Sequence, residues 1–373
     1  MGSTTSTTQW LHSEVLDRSL WADNPEYLLT IPPRISKYNE RSDDASVQLQ
    51  IDVAGKENVG VVDGAITSVG GLAALMYPDC LPDRMAVTSY VLETTFIWDD
   101  LNIPEPDEVA IKDSESNTRK DVNIFHHPSM KARLKQAFSK GVAAVSRIDP
   151  ILGPNVLETW KDWRLAETDI RGNFFKWTSL DQYVEVRVRD IGYPCVIAMG
   201  LFSCNLKITP EEEAIALQIA WPLHAQGVYS NDYYSWFKEL RAHQESGGKI
   251  PIINSVKLLQ RLEGLSVEEA RARLREKSLE MEAEYHRRKK EYFEANADKG
   301  ISPALVRYLD YHEEYATGHV IWCLNSYRNN SPGGDEYRAY YAKRVAEGAI
   351  FWDNPSQSED ILTDGYQVRY LQK

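Results

Sequence analysis

No run of eighteen apolar residues occurs anywhere in the chain, so no segment is long enough to cross a bilayer as a helix. Basic charge is in deficit: 42 Lys and Arg face 55 Asp and Glu, a net charge of −13. Nucleic acid and anionic membranes require a clustered basic face, so neither is expected as a partner. An anionic substrate would need local help, from metal ions or a few placed cations. Cysteine is scarce, four in 373 residues, with no CxxC pair. Cys80, Cys195, Cys204 and Cys323 stand far apart in settings such as YPCVIAMG and VIWCLN, which reads as buried thiols in a reducing, cytoplasmic setting. The start, MGSTTSTTQWLH, is too polar for a secretory signal. Internal repeats and a convincing strand ladder are also missing, although SVQLQIDVAG and VGVVDGAITSV favour strands on propensity alone.

What is present is helical periodicity. SVGGLAALMYP is followed by PDRMAVTSYVLETTFIWDD, with Pro82 and Asp83 at the helix start. A charged, proline-bearing stretch without apolar period, LNIPEPDEVAIKDSESNTRKDVNIF, reads as a long loop. Amphipathic segments resume from Pro128 to Leu165, divided by Asp149, Pro150 and Gly153. They continue through SLDQYVEVRVRDIGYPCVIAMGLFS and, from Pro210, PEEEAIALQIAWPLHAQGVYSNDYYSWFKE. A charged helix is expected from about Ser266 to Asn296, rich in opposite charges four apart. A last apolar helix begins at Pro303. This is an all-α chain with one domain of roughly ten or more helices over residues 1–330 and a less regular appendage over 331–373.

Two acidic elements carry chemistry. Asn231, Ser235 and Glu239 are four apart, which on a helix advances about 6 Å per step with a drift of only about 40°, so three oxygens share one stripe. A carboxamide, a hydroxyl and a carboxylate suit a hard divalent ion such as Mg²⁺, which keeps waters and phosphate oxygens in its shell. The alternative is a solvated helix end. The second element is FIWDD: Asp99 and Asp100 end an apolar helix, where the dipole is negative and a cation must compensate. Two further groups, Arg187 with Asp190 and the Ile191–Gly192 backbone, and Trp322 with Arg328, read in isolation as an ion-paired helix face and as a core Trp followed by a dipole-matching cation.

In this order the motifs resemble those of class I terpene synthases, most nearly the cyclase domain of fungal bifunctional di- and sesterterpene synthases, the group that includes fusicoccadiene synthase. The similarity runs from about Ser13 to Asn330, and NDxxSxxxE is matched completely. It implies a single helical bundle around a deep apolar cavity, with Asp99 facing the Asn231, Ser235 and Glu239 triad across its mouth. It further implies three Mg²⁺ ions bound with the diphosphate of a linear isoprenoid, most simply geranylgeranyl diphosphate, whose carbocation closes to a polycyclic diterpene. A C25 or C15 substrate is the alternative. By the same resemblance Arg187 senses diphosphate, Asp190 links it to the Ile191 carbonyl as effector, and Lys238 and Arg328 contact diphosphate. Phe96 and Trp322 are assigned to the aromatic lining.

The sequence departs from the pattern at Ile103, where an acid is expected, leaving Asn102, Glu105 or Asp107 as substitutes. It departs again at Asn329, where the family has a tyrosine after the arginine, so Tyr327 beside it is the candidate. No prenyltransferase domain follows in the sequence given, so a stand-alone cyclase or a domain excised from a bifunctional enzyme is expected, with the diphosphate supplied to it by a separate prenyltransferase. Pairing into a homodimer stays open. A chain-elongating prenyltransferase would show a second DDxxD and a protonation-initiated cyclase a DxDD, and both are missing. A decayed, non-catalytic isoprenoid-binding protein is the rival of another class, and the complete triad argues against it.

Overall fold

Thr209 and Glu212 show how the chain starts its longest helix. The Thr209 hydroxyl accepts from the Glu212 N–H and the Glu212 carboxylate accepts from the Thr209 N–H, a reciprocal cap opening the 36-residue helix Pro210–Glu245. Pro210 sits where its missing N–H costs nothing, and three glutamates complement the positive end of the dipole. Pro222, inside the helix, cannot donate to the Gln218 carbonyl. Arg288 of a neighbouring helix donates to that oxygen at 2.9 Å, so the helix runs through the proline without an orphan acceptor.

The computed structural model describes residues 10–60, 64–101 and 128–330, with residues 339, 341, 342, 345 and 346 beyond them. Among these are α1 (Asn39–Ala54), α2 (Leu72–Met76), α3 (Met85–Leu101), α4 (Pro128–Ile148), α5 (Gly153–Asn173), α6 (Leu180–Asp190), α7 (Tyr193–Ser203), α8 (Pro210–Glu245), α9 (Ser255–Glu263), α10 (Val267–Ala295), α11 (Pro303–Asn325) and α12 (Tyr327–Asn330). The strands are minor: β1 (Ser13–Val15) pairs antiparallel with β2 (Arg34–Ser36), and β3 (Ile66–Thr67) with β4 (Gly70–Gly71). The all-α reading holds. The α8 helix is the hub, packed by α10 and α11 and, less extensively, by α6, α9 and α12, while α1, α3, α4, α5 and α7 form the other side.

One propensity-based alternative fails. SVQLQIDVAG lies largely in α1, where Ala45, Leu49 and Val53, four apart, enter the main core and Val47 enters a satellite cluster with Val59, Ile66 and Tyr341. Tertiary burial of a helical stripe outweighs the β-branched preference there. Of VGVVDGAITSV, Ile66–Thr67 is strand. The charged helix matches closely, running Val267–Ala295 between Ser266 and Asn296 as caps. Tyr341 also donates to Asp43 at 3.2 Å, so part of the 331–373 stretch packs on α1; most of that stretch lies outside the described residues.

Candidate functional site

The break between α6 and α7 sets the site's geometry. Gly192 adopts φ +80°, a left-handed turn that ends one helix at Asp190 and opens the next at Tyr193. Trp163 of α5 pins the break by donating from Nε1 to the Asp190 carbonyl at 2.7 Å. A Cβ at Gly192 would find room, its nearest neighbour being Trp163 at 3.6 Å, so the cost of Gly192→Ala comes from φ. Chemical denaturation should show a loss of about 1–2 kcal/mol without loss of helix content; an unchanged midpoint would mean that the turn relaxes freely.

Arg187, in the last turn of α6, is ion-paired with Asp190 and reaches Asp232 of α8 at 3.2 Å and the Asn231 carboxamide oxygen at 3.5 Å. Burial opposes its charge, but the surrounding acids outweigh burial and keep the guanidinium protonated. Asp232 is fully buried and accepts from the Tyr183 hydroxyl at 2.7 Å, the Ser255 N–H at 2.7 Å and the Ser255 hydroxyl at 2.6 Å. Asn254, the N-cap of α9, donates to the Asp232 carbonyl at 2.9 Å and to Glu239 at 3.1 Å. Ser235 donates to Glu239 at 2.5 Å. Burial first, and the Asp232 charge second, push the Glu239 carboxyl up to about 7, against the opposing pull of Arg187 and the hydrogen bonds.

Asp99, in the last turn of α3, receives the cations its position requires. Arg328 of α12 donates to it at 2.5 Å and Lys238 of α8 stands 3.8 Å away. The surrounding protein disfavours charge on the Asp99 carboxyl, but Arg328 and Lys238 more than offset that and hold it below the ordinary range; more than half of its side chain, 54%, stays exposed and open to an incoming ligand. The Arg328 guanidinium lies over the Phe96 ring at 5.5 Å, and Phe96 meets Trp322 at 5.2 Å between centroids. Trp322 is anchored by its Nε1 donating to the Ala65 carbonyl at 2.7 Å. Tyr327 packs against the satellite cluster of Val47, Val59 and Ile66 instead, so of the two neighbours on α12 it is Arg328 that reaches Asp99. Asn102, Ile103, Glu105 and Asp107 lie outside the described residues.

Tertiary structure thus gathers residues from α3, α6, α8 and α12. It also adds Asp232, Tyr183, Asn254, Ser255 and Trp163, to which sequence reasoning gave no part. Asp232 stood inside the NDxxSxxxE string, and INSVKLL carries the signature of a capped helix start; Tyr183 and Trp163 left no local signal. Among the described residues no three His, Cys, Asp or Glu side chains form a metal-binding cluster. The triad contains only one carboxylate, so it is no such cluster. Its donors still fit a divalent ion: amide, hydroxyl and carboxylate oxygens on one stripe of α8, with enough unneutralised ion charge left for phosphate oxygens.

Residues 91–284, just over half of the chain, match the family model described as terpene synthase family 2, C-terminal metal binding. The chain is 35% identical over 361 residues to the terpene cyclase-like protein flvF of Aspergillus flavus, covering 96% of this chain and 98% of that protein. It is 28% identical over 317 residues to the cyclopiane-type diterpene synthase of Penicillium chrysogenum, covering 83% of this chain but only 40% of that longer protein. The crystal structure of aristolochene synthase from Penicillium roqueforti has the same fold, with a TM-score of 0.52 at 18% identity over 78% of this chain and 95% of that one. Near-complete alignment with one relative, a metal-binding family model spanning α3 to α10 and a shared helical architecture make this chain a member of the terpene synthase family, an enzyme of the terpene cyclase type.

Proposed function

We propose that this enzyme uses Mg²⁺ to ionise a linear isoprenoid diphosphate, geranylgeranyl diphosphate above all, and cyclises the carbocation to a polycyclic diterpene. The observation that carries the reading is the convergence of Arg187, Lys238 and Arg328 with Asp99, Asn231, Ser235 and Glu239 beside the Phe96–Trp322 pair. The similarity to a diterpene synthase supports the C20 substrate. Asp99, Asn231, Ser235 and Glu239 would hold the metal, which when bound supplies Lewis acidity to the departing diphosphate. Three ions are expected from the family resemblance. The three cations of this chain meet the negative charge that develops on the leaving group, and Arg187, fixed between Asp190 and Asp232, is oriented for it in advance. Phe96 and Trp322 present ring faces to the cation, each worth about 0.5–2 kcal/mol.

Incubation of purified protein and Mg²⁺ with C10 to C25 diphosphates, followed by gas chromatography, should yield a cyclic product from the C20 substrate. No terpene from any of them overturns the reading. A separate prenyltransferase would supply the substrate, and a reducing, cytoplasmic setting suits the four free cysteines.

Metal affinity should depend on pH. A carboxyl raised to about 7 is protonated below that value and must lose its proton to become a ligand. Apparent Mg²⁺ affinity should therefore rise from pH 6 to pH 8, by up to about tenfold per unit below the midpoint. A flat profile in calorimetric titrations would show that Glu239 is not a ligand.

A further inference from the structure

Glu93, Phe96 and Asp99 are three apart on α3, so each step rises about 4.5 Å and turns back about 60°, and the three share one side of the helix. Glu93 is fully buried, and neither the motifs nor the proposed chemistry gives it a part. Both of its carboxyl oxygens are engaged. Oε1 accepts from the Gln50 side-chain amide of α1 at 2.8 Å, and Oε2 accepts from the Ala65 N–H at 2.8 Å. Gln50 in turn accepts from the Gly60 N–H at 2.9 Å. A Cβ on Gly64 would overlap the Glu93 carboxyl, so the backbone here rests directly on it. Burial pushes that carboxyl up to about 7, against the pull of its hydrogen bonds and of the Arg328 charge. The fold therefore bears a cost to keep an acid at this point.

The other side of Ala65 meets the site. Its carbonyl accepts from Trp322 Nε1 at 2.7 Å and from the Leu72 N–H at 2.9 Å. Trp322 is 4% exposed, and this bond satisfies an indole N–H that has little access to water. The Trp322 ring meets Phe96 at 5.2 Å, and the Phe96 ring lies beneath Arg328 at 5.5 Å. A closed circuit results. Through Phe96, α3 touches the Trp322 ring directly; through Glu93 and Ala65, it holds the N–H of the same ring.

We propose that Glu93 is a positioning residue: by holding the Gly64–Ala65 backbone it fixes Trp322 against Phe96, and so sets which carbocation is stabilised and which terpene is released. The part that concerns product rests on the cyclase reading above. A ring stabilises a cation only within about 6 Å of its centroid, so a small shift of the indole changes which cationic carbon it favours.

Glu93→Met fills the space without an acceptor. It should lower the ratio of the main terpene to all other terpenes about threefold or more, inside the roughly twofold to thirtyfold that one cation–π contact is worth. This ratio is independent of how much enzyme is folded. Glu93→Gln, which keeps one acceptor, should restore part of it. Trp322→Phe opens the circuit at its other end while keeping an aromatic ring, and should lower the ratio by itself. In the double variant Glu93→Met has no indole N–H left to act through, so its effect should be much smaller than in the wild type. Fully independent effects overturn the proposal. Should Glu93→Met fail to fold, a wild-type ratio in Trp322→Phe overturns it equally. In the full chain labelled with ¹⁵N-tryptophan, the indole signal missing from Trp322→Phe should shift in Glu93→Met; an unmoved signal overturns the hold on Trp322 whatever the activity. No terpene from any C10 to C25 diphosphate overturns the cyclase reading, and the part of the proposal that concerns product with it.

Discussion

Asn231→Ala and Glu239→Ala should each lower turnover of an isoprenoid diphosphate by about 10²–10³-fold, the size of effect seen when one preorganised charge-stabilising group is removed. The far-UV circular dichroism of both variants should match that of the wild type. Stability should survive for a physical reason. The fold raises the Glu239 carboxyl to about 7, which means that the ionised side chain is held at a cost to the folded state. The sign follows directly: for an acid raised above its unfolded value, stability falls as pH rises from the unfolded value towards 7. Truncation removes that pH-dependent cost along with the acceptor of Ser235 and Asn254, so any loss of stability in Glu239→Ala should be smaller at pH 8 than at pH 5. Retained turnover in both variants would show that the stripe on α8 is not a metal site.

Asp232→Ala should behave in the opposite way, losing stability first. Its carboxylate is fully buried and serves Arg187, Tyr183 and both donors of Ser255. Removing it leaves the largely buried Arg187 with one carboxylate partner fewer, both donors of Ser255 without that acceptor, and the Tyr183 hydroxyl with only the Ile253 carbonyl at 3.5 Å. Breaking one side of a buried ion pair costs about 3–5 kcal/mol. Urea unfolding should show a loss near that size, together with loss of turnover because Arg187 and the start of α9 are no longer held. Asp232→Asn, which keeps the shape and one acceptor, should lose less. A Tyr183→Phe change should cost less in the Asp232→Ala background than in the wild type, since the hydroxyl has already lost its short bond and keeps only the Ile253 carbonyl at 3.5 Å. Stability of Asp232→Ala within about 0.5 kcal/mol of wild type, the range of ordinary surface substitutions, would show that Asp232 is not the hub its contacts describe.

The contrast between these neighbours on α8 shows how the site was legible and where it was not. Asn231, Ser235 and Glu239 declare themselves because helical spacing turns a one-dimensional pattern into a stripe. Asp232, one residue along, points to a different face, and its importance comes from α6 and α9, at Tyr183 and Ser255, 49 and 23 residues away in the chain. The same holds for Asp99. Its place at the end of an apolar helix demanded a cation, but that Arg328 and Lys238 supply it depends on the packing of α12 and α8 beside α3. The strand alternative for SVQLQIDVAG failed likewise, because propensity is a weak local term and the decision lay with the core that α1 covers.

By itself the sequence determined what short-range physics can encode: an all-α fold from apolar period, helix starts at Pro210 and about Ser266, and the oxygen stripe on α8. Only the tertiary structure decided which charges meet and that Arg187 is held between two aspartates. The reason is range. Hydrogen bonds within a turn are set by neighbours in the chain, whereas a buried charge or imidazole takes its state from whatever distant element desolvates and pairs it.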